Sequence, residues 1–206
     1  NEEHADELGI NKSASITCVK PSGTVSQLVD SASGIHTRHS PYYIRTVRTD
    51  VKDPLCTLLI DSGVPYEPDI TNPSNVMVFS FPMRSPKFSL TRKDLSAIGQ
   101  LELHGIYSKF WAEHKVSQTI SVKEEEWLPV GSYVYDNFDD ISGVSFLPYS
   151  DYIYKQAPYT ECTKKEFDTL SKSMPTINWD NLVKYETLDS TSGSQELACT
   201  TGSCEL

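Results

Sequence analysis

Two places in this chain combine residue type and spacing in a way that allows chemistry. One is the last stretch of the sequence. Cys199 and Cys204 are separated by Thr200-Thr201-Gly202-Ser203 and followed by Glu205 and Leu206. Four intervening residues, one of them glycine, let two sulfurs approach to the roughly 2 Å of a disulfide bond. A dithiol on a flexible tail can exchange with a disulfide in a buried site and return to the surface for reduction. A pair of incidental thiols and half of a zinc site are the competing readings, but no second Cys pair or Cys/His pair stands at ligand spacing.

The other place is Pro21-Ser22-Gly23-Thr24-Val25-Ser26, between a strand end and a helix start. The first amides of a helix have no internal partner, and the helix dipole is positive there. Gly23 removes a side chain that would block an approaching ligand, and Ser22, Thr24 and Ser26 add hydroxyl donors. Such a loop holds a phosphate without a basic residue. The same residues also make an ordinary Pro-Ser-Gly turn with Thr24 as a helix cap, and a short glycine motif does not separate the two. The Gly-x-x-x-x-Gly-Lys spacing of a Walker loop is absent.

Just beyond, Gly34-Ile35-His36-Thr37-Arg38-His39 gathers three residues suited to an anion or cofactor site, His36, Arg38 and His39, or else forms a solvated loop. His104 and His114 fall on an expected helix as packing or surface residues. Cys18 reads as a small hydrophobe in a strand, and Cys56 and Cys162 have no visible partner. Neither a Ser-His-Asp spacing nor a two-metal carboxylate set is evident.

These residues need elements to position them. Residues 15–19 are short and β-branched, which predicts a buried strand stopped by Pro21. A helix starts at residues 25–29. Residues 42–49 form a second expected strand. Asp53-Pro54 opens a helix carrying Leu55, Leu58 and Leu59, and Gly63 ends it. Residues 76–81 make a third strand, closed by Pro82. A long helix is expected over residues 92–115, with Thr91 and Asp94 at capping-box spacing and Leu95, Ile98, Ile106 and Phe110 as its stripe. Residues 119–122 are a fourth strand. A helix over residues 124–138 opens on three glutamates that suit the helix dipole. Residues 144–147 are a fifth strand, ended by Pro148. The alternation predicts an α/β architecture with a largely parallel sheet and two open edges. Beyond Pro158 the spacing of Thr163 and Glu166 sets a capping box before a short helix at residues 167–172. Residues 178–185 suggest another. From Thr187 onward the composition is that of a flexible tail.

The bulk numbers narrow the function. The 206 residues suffice for one domain, or one domain and a tail. With 38% hydrophobic and 22% charged residues the chain has material for a packed core. A net charge of −10 does not suit a duplex-DNA or anionic-membrane binder, so any phosphate must be held locally. No stretch approaches the ~20 apolar residues of a membrane span. The acidic start Asn1-Glu2-Glu3-His4 is no signal peptide, and without an initiator Met it suggests a fragment or processed product. Five thinly spread cysteines argue for a reducing, cytoplasmic setting.

Several motifs in order carry a family resemblance. Ile16-Thr17-Cys18-Val19-Lys20-Pro21-Ser22-Gly23-Thr24-Val25-Ser26 resembles the substrate-phosphate loop of class II ribonucleotide reductases. Gly34-Ile35-His36, Tyr42-Tyr43-Ile44-Arg45 and Val47-Arg48 are similar to the segment that follows it. The residues 116–126, 143–149 and 156–159 continue the likeness, and Cys199 and Cys204 resemble the tail dithiol of class I and class II large subunits. The resemblance implies the second five-stranded half of a ten-stranded α/β barrel over residues 1–158, a helical extension over 159–186 and a redox tail over 187–206. It implies thiyl-radical reduction of the 2′-hydroxyl of a ribonucleotide, with adenosylcobalamin generating the radical from a site mostly outside this chain. Pro21, Ser22, Gly23, Thr24, Val25 and Ser26 would bind the substrate phosphates. Cys199 and Cys204 would be the shuttle, recharged by thioredoxin or a glutaredoxin-like protein.

The family's Asn-Pro-Cys motif, which carries the radical cysteine, is absent: Asn72-Pro73 is followed by Ser74. The resemblance therefore implies an incomplete catalytic subunit, inactive without its remainder. A class I large-subunit fragment is an alternative, but its paired-Tyr relay is missing: Tyr42-Tyr43 lies too early, and Tyr133 and Tyr135 are not adjacent. A non-enzymatic phosphate-binding module with an electron-carrying tail is the other.

Overall fold

In the computed structural model, residues 1–23, 25–149 and 154–186 are described. They divide into two compact units, residues 1–38 with 88–149 and residues 39–87 with 154–186.

The first unit contains α1 (Glu2–Leu8) and a four-residue α2 (Val25–Leu28), followed after the break by α4 (Ala97–Phe110), β4 (Gln118–Val122), α5 (Trp127–Asp136) and β5 (Val144–Pro148). Strands β4 and β5 pair in parallel from Gln118↔Val144 to Val122↔Pro148. The alternation along β4 buries Gln118, Ile120 and Val122. Ile120 and Val122 pack with Ala97 and Leu101 of α4 and Val130 of α5. Ser96 caps α4 by accepting from the Gly99 N–H. Gln100 then locks helix to strand, its Nε2 donating to the Ser121 carbonyl and its Oε1 accepting the Ser121 N–H. Glu126 ties the two helix starts together, accepting from the N–H groups of Ala97 and Lys123.

The second unit holds β1 (Tyr42–Asp50), α3 (Pro54–Asp61), β2 (Tyr66–Pro68), β3 (Val76–Arg84), β6 (Tyr159–Glu161) and α6 (Lys164–Ser173). Its sheet runs β2-β3-β1-β6. Cys56, Leu59, Val64 and Phe79 form its core, covered by Met77, Phe81, Met174 and Ile177.

The mixed α/β character is as expected, but the largely parallel sheet is not. Among the described residues, every pairing in the four-stranded sheet is antiparallel, and parallel pairing is confined to β4–β5 and two isolated bridges. Alternating strands and helices do not encode direction. The excursion from Asp50 to Val76 closes on itself, with the Val51 N–H donating to Asn75 O, so β3 returns beside β1 as the far arm of a wide hairpin. The long helix of residues 92–115 is also shorter than expected. The carboxylate of Asp94 accepts from the Thr91 N–H and hydroxyl, which closes a separate turn, and α4 starts only after Ser96. The segment 15–19 makes a single parallel bridge, Val19↔Val116, instead of a strand. Helix α1 and the three-residue strands β2 and β6 are additional. Among the described residues, no helix is long and apolar enough to cross a membrane.

Candidate functional site

The loop that joins the Val19 bridge to α2 owes its shape to Pro21. Val19 N–H donates to Lys115 O at 2.9 Å, and Ser117 N–H donates to Val19 O at 2.9 Å. A parallel ladder continued by one step would next use the N–H of residue 21 and then send the Thr119 N–H to the carbonyl of residue 21. Proline has no N–H, so the ladder stops. The Thr119 N–H instead donates to Nε2 of His36 at 2.9 Å.

Released from the sheet edge, the loop is held by its own hydroxyls. Ser22 N–H donates to the Ser33 hydroxyl oxygen at 2.7 Å, and that hydroxyl donates back to Ser22 O at 2.8 Å. Ser26 N–H donates to the Ser22 hydroxyl oxygen at 2.8 Å. Ser26 is 6% exposed, and its buried hydroxyl has no hydrogen-bond partner among the described residues. The amides of Ser22 and Ser26 are thus satisfied internally, at the two ends of the loop. Among the described residues of the loop, the buried Ser26 hydroxyl is a side-chain donor that faces no protein group. Thr24 and the dithiol Cys199 and Cys204 lie outside the described residues.

The turn over residues 30–34 folds back on this loop. Gly34 has φ +57°, where a side chain is strained, and a Cβ there would crowd Lys20 O at 3.1 Å, so both the backbone and the space favour glycine. Arg38, 5% exposed, donates to Asp30 Oδ1 at 2.9 Å and to Ser31 O at 2.7 Å. His36 Nδ1 lies 2.7 Å from Ser33 O. A carbonyl only accepts and an amide N–H only donates, so Nδ1 carries the proton and Nε2 is the acceptor. Burial lowers the His36 pKa below the usual imidazole value, outweighing the bond to Ser33, which favours the proton.

The expected trio of His36, Arg38 and His39 therefore divides. His36 and Arg38 both brace the 30–33 turn. His39 belongs to the second unit, where it stacks on Tyr159 at 5.5 Å and meets Tyr43 edge-on. The guanidinium of Arg45 lies 4.4 Å from the centre of the same Tyr159 ring. Ser33 and Thr119, which complete the bracing, carried no signal in the sequence.

The other expectations fare unevenly. Cys18 is exposed instead of buried. Burial, then the carboxylates of Glu166 and Glu161, push the Cys162 thiol up. The Cys56 thiol is also raised, by burial and then by Asp53 and Asp50. Neither is an activated thiol. Cys162 borders an open groove of about 600 Å³ beside β6 and α6. His104 is fully buried, and neither ring nitrogen has a partner among the described residues. Burial lowers its pKa.

No protein-family model matches the chain. The chain is 33% identical over 186 residues to a probable adenosylcobalamin-dependent ribonucleoside-triphosphate reductase of Dictyostelium discoideum, covering 88% of this chain and 24% of that protein. It is 33% identical over 163 residues to an adenosylcobalamin-dependent ribonucleoside-triphosphate reductase of Euglena gracilis, covering 78% and 22%. The crystal structure of a B12-dependent, class II ribonucleotide reductase superimposes with a TM-score of 0.73 at 27% identity, over 92% of this chain and 26% of that one. The chain thus spans about a quarter of the length of these relatives.

Proposed function

This chain is a homologue of the class II, adenosylcobalamin-dependent ribonucleotide reductases, and from that premise we propose that it is the C-terminal part of such an enzyme's catalytic subunit, forming the second half of its barrel. It supplies the substrate-phosphate loop, residues 21–26, and the reducing dithiol, Cys199 and Cys204. It does not supply the radical cysteine, since it has no Asn-Pro-Cys, so it reduces nothing without the remainder of the subunit. The relatives act on triphosphates by name, and the substrate assigned here is a ribonucleoside triphosphate. The thinly spread cysteines suit a reducing cytoplasm.

The observation that carries this reading is the loop itself: a glycine-containing turn clamped at both ends by seryl hydroxyls, with the buried Ser26 hydroxyl left over. A phosphate oxygen would accept from that hydroxyl in a chain whose net charge gives no general attraction for anions. Bound adenosylcobalamin supplies the radical that starts the reduction. The donor this loop offers among the described residues is a small hydroxyl, which suits a phosphate and not the wide, amide-rimmed face of a corrin. No residue of this chain is assigned to the cobalamin.

The test is a hybrid enzyme in which this chain replaces the matching quarter of a relative. The hybrid is expected to convert ribonucleoside triphosphates to deoxyribonucleoside triphosphates only with adenosylcobalamin, while the chain alone converts none. A hybrid that assembles yet makes no product, or makes as much without adenosylcobalamin, overturns the reading.

A further inference from the structure

We propose that His36 is the positioning residue of the phosphate loop: its imidazole replaces the missing strand pairing at Thr119 and, through Ser33, fixes the main chain of Ser22. The proposal rests on the reading of residues 21–26 as the phosphate contact.

The geometry gives His36 a task that a solvated loop histidine does not have. Its ring nitrogens bond two main-chain groups that lie far apart in sequence, the Thr119 N–H of β4 and the Ser33 carbonyl. The strand is a firm anchor, because β4 is paired to β5 and its Ile120 and Val122 are buried in the core. From Ser33 the link continues through one hydroxyl to both the N–H and the carbonyl of Ser22, and from the Ser22 hydroxyl to the Ser26 N–H. Every step is a hydrogen bond of 2.7–2.9 Å. Pro21 makes the link necessary, for it ends the ladder that would otherwise tie this part of the chain to β4. Gly34 makes it possible, for a Cβ there would be forced against Lys20 O.

An apolar ring at position 36 would leave the Thr119 N–H and the Ser33 carbonyl without this partner. The Ser33 carbonyl would keep the main-chain N–H of residue 36 but lose its tie through the ring to β4, and the Ser22 clamp would loosen. His36 touches no substrate atom in this account. It acts on the shape of the loop, and affinity for phosphate is where the loss appears.

The experiment uses the hybrid enzyme described above, with the portion contributed by this chain ¹⁵N-labelled, and inorganic tripolyphosphate, titrated by ¹H–¹⁵N NMR at neutral pH. Wild type is expected to bind with saturable shifts at Ser22 and Ser26. His36→Phe is expected to bind about tenfold more weakly, the scale of one positioning hydrogen bond. His36→Gln, which restores an amide oxygen near the position of Nε2, should recover most of that loss. The ¹⁵N spectrum of the wild-type ring should show the neutral form protonated at Nδ1, a readout that stands even where the Phe variant does not fold. Wild-type binding with undiminished affinity in His36→Phe sinks the positioning role and leaves the phosphate reading intact. A ring protonated at Nε2 instead does the same. Failure of the wild type itself to bind tripolyphosphate ends both.

Discussion

Burial lowers the pKa of both His36 and His104 in the folded first unit, and this fixes the sign of a pH effect. A histidine whose folded pKa is depressed binds fewer protons in the native state than in the unfolded chain. The stability it contributes is present above the unfolded pKa of about 6.5 and is lost as the pH falls below that value toward the folded one. The carboxylates act in another window. Burial by itself would raise the Asp69 pKa, but bonds from the Thr71 hydroxyl, the Asn72 N–H, the Arg48 guanidinium and the Thr71 N–H outweigh it and hold the group at about 2. Its contribution is present above the ordinary 3.8 and is lost progressively as the pH falls from there through about 2. Stability against urea is therefore expected to fall as the pH drops below about 6.5 through the histidines, before Asp69 protonates. His104→Phe, which replaces a buried imidazole with no hydrogen-bond partner among the described residues by an apolar ring, should flatten that slope. A variant slope equal to the wild type would show that His104 is not among the groups responsible.

At the level of elements, what is written locally is what could be read in advance. Thr163 caps α6 by accepting from the Glu166 N–H while Glu166 accepts from the Thr163 N–H, as the spacing of the two residues predicts. Thr163→Ala should cost about 1 kcal/mol and lower the melting temperature by a few degrees, while Thr163→Ser should not. Equal melting temperatures for wild type and Thr163→Ala would mean that α6 does not depend on its cap. Asp53 and Pro54 at the start of α3 were readable for the same reason. Strand direction was not. Whether β3 returns beside β1 in parallel or antiparallel depends on where the chain from Val51 to Asn75 comes back, and that closure is a tertiary matter. Thr91 and Asp94 misled because their hydrogen bonds are those of a capping box, but the turn they close belongs to no helix. Strand β6, three residues between Pro158 and Cys162, is too short for an alternating pattern to declare itself.

Across the whole molecule, the candidate site was legible where a motif is contiguous and illegible where it is assembled. The hydroxyl-rich loop at residues 21–26 could be read directly, but its braces come from Ser33, 11 residues after Ser22, and Thr119, 83 residues after His36. The proposed dithiol is contiguous and was readable as a candidate, and its role is testable in the hybrid enzyme by electron balance. In the reductase reaction proposed above, each turnover would oxidise two active-site thiols to one disulfide and so deliver two electrons to the substrate. In the proposed shuttle, Cys199 or Cys204 attacks that disulfide, a mixed disulfide forms, and the second tail thiol resolves it. The active-site dithiol is restored, and the disulfide now lies between Cys199 and Cys204, where thioredoxin can reduce it. A double variant, Cys199→Ser with Cys204→Ser, should make about one product per active site and then stop when thioredoxin is the reductant. With a small dithiol such as dithiothreitol, which can diffuse to the buried disulfide, turnover should continue. Sustained turnover of the double variant with thioredoxin would remove the tail from the electron path. Failure with both reductants would mean that the two serines damage the chemistry itself and that the shuttle assignment is wrong.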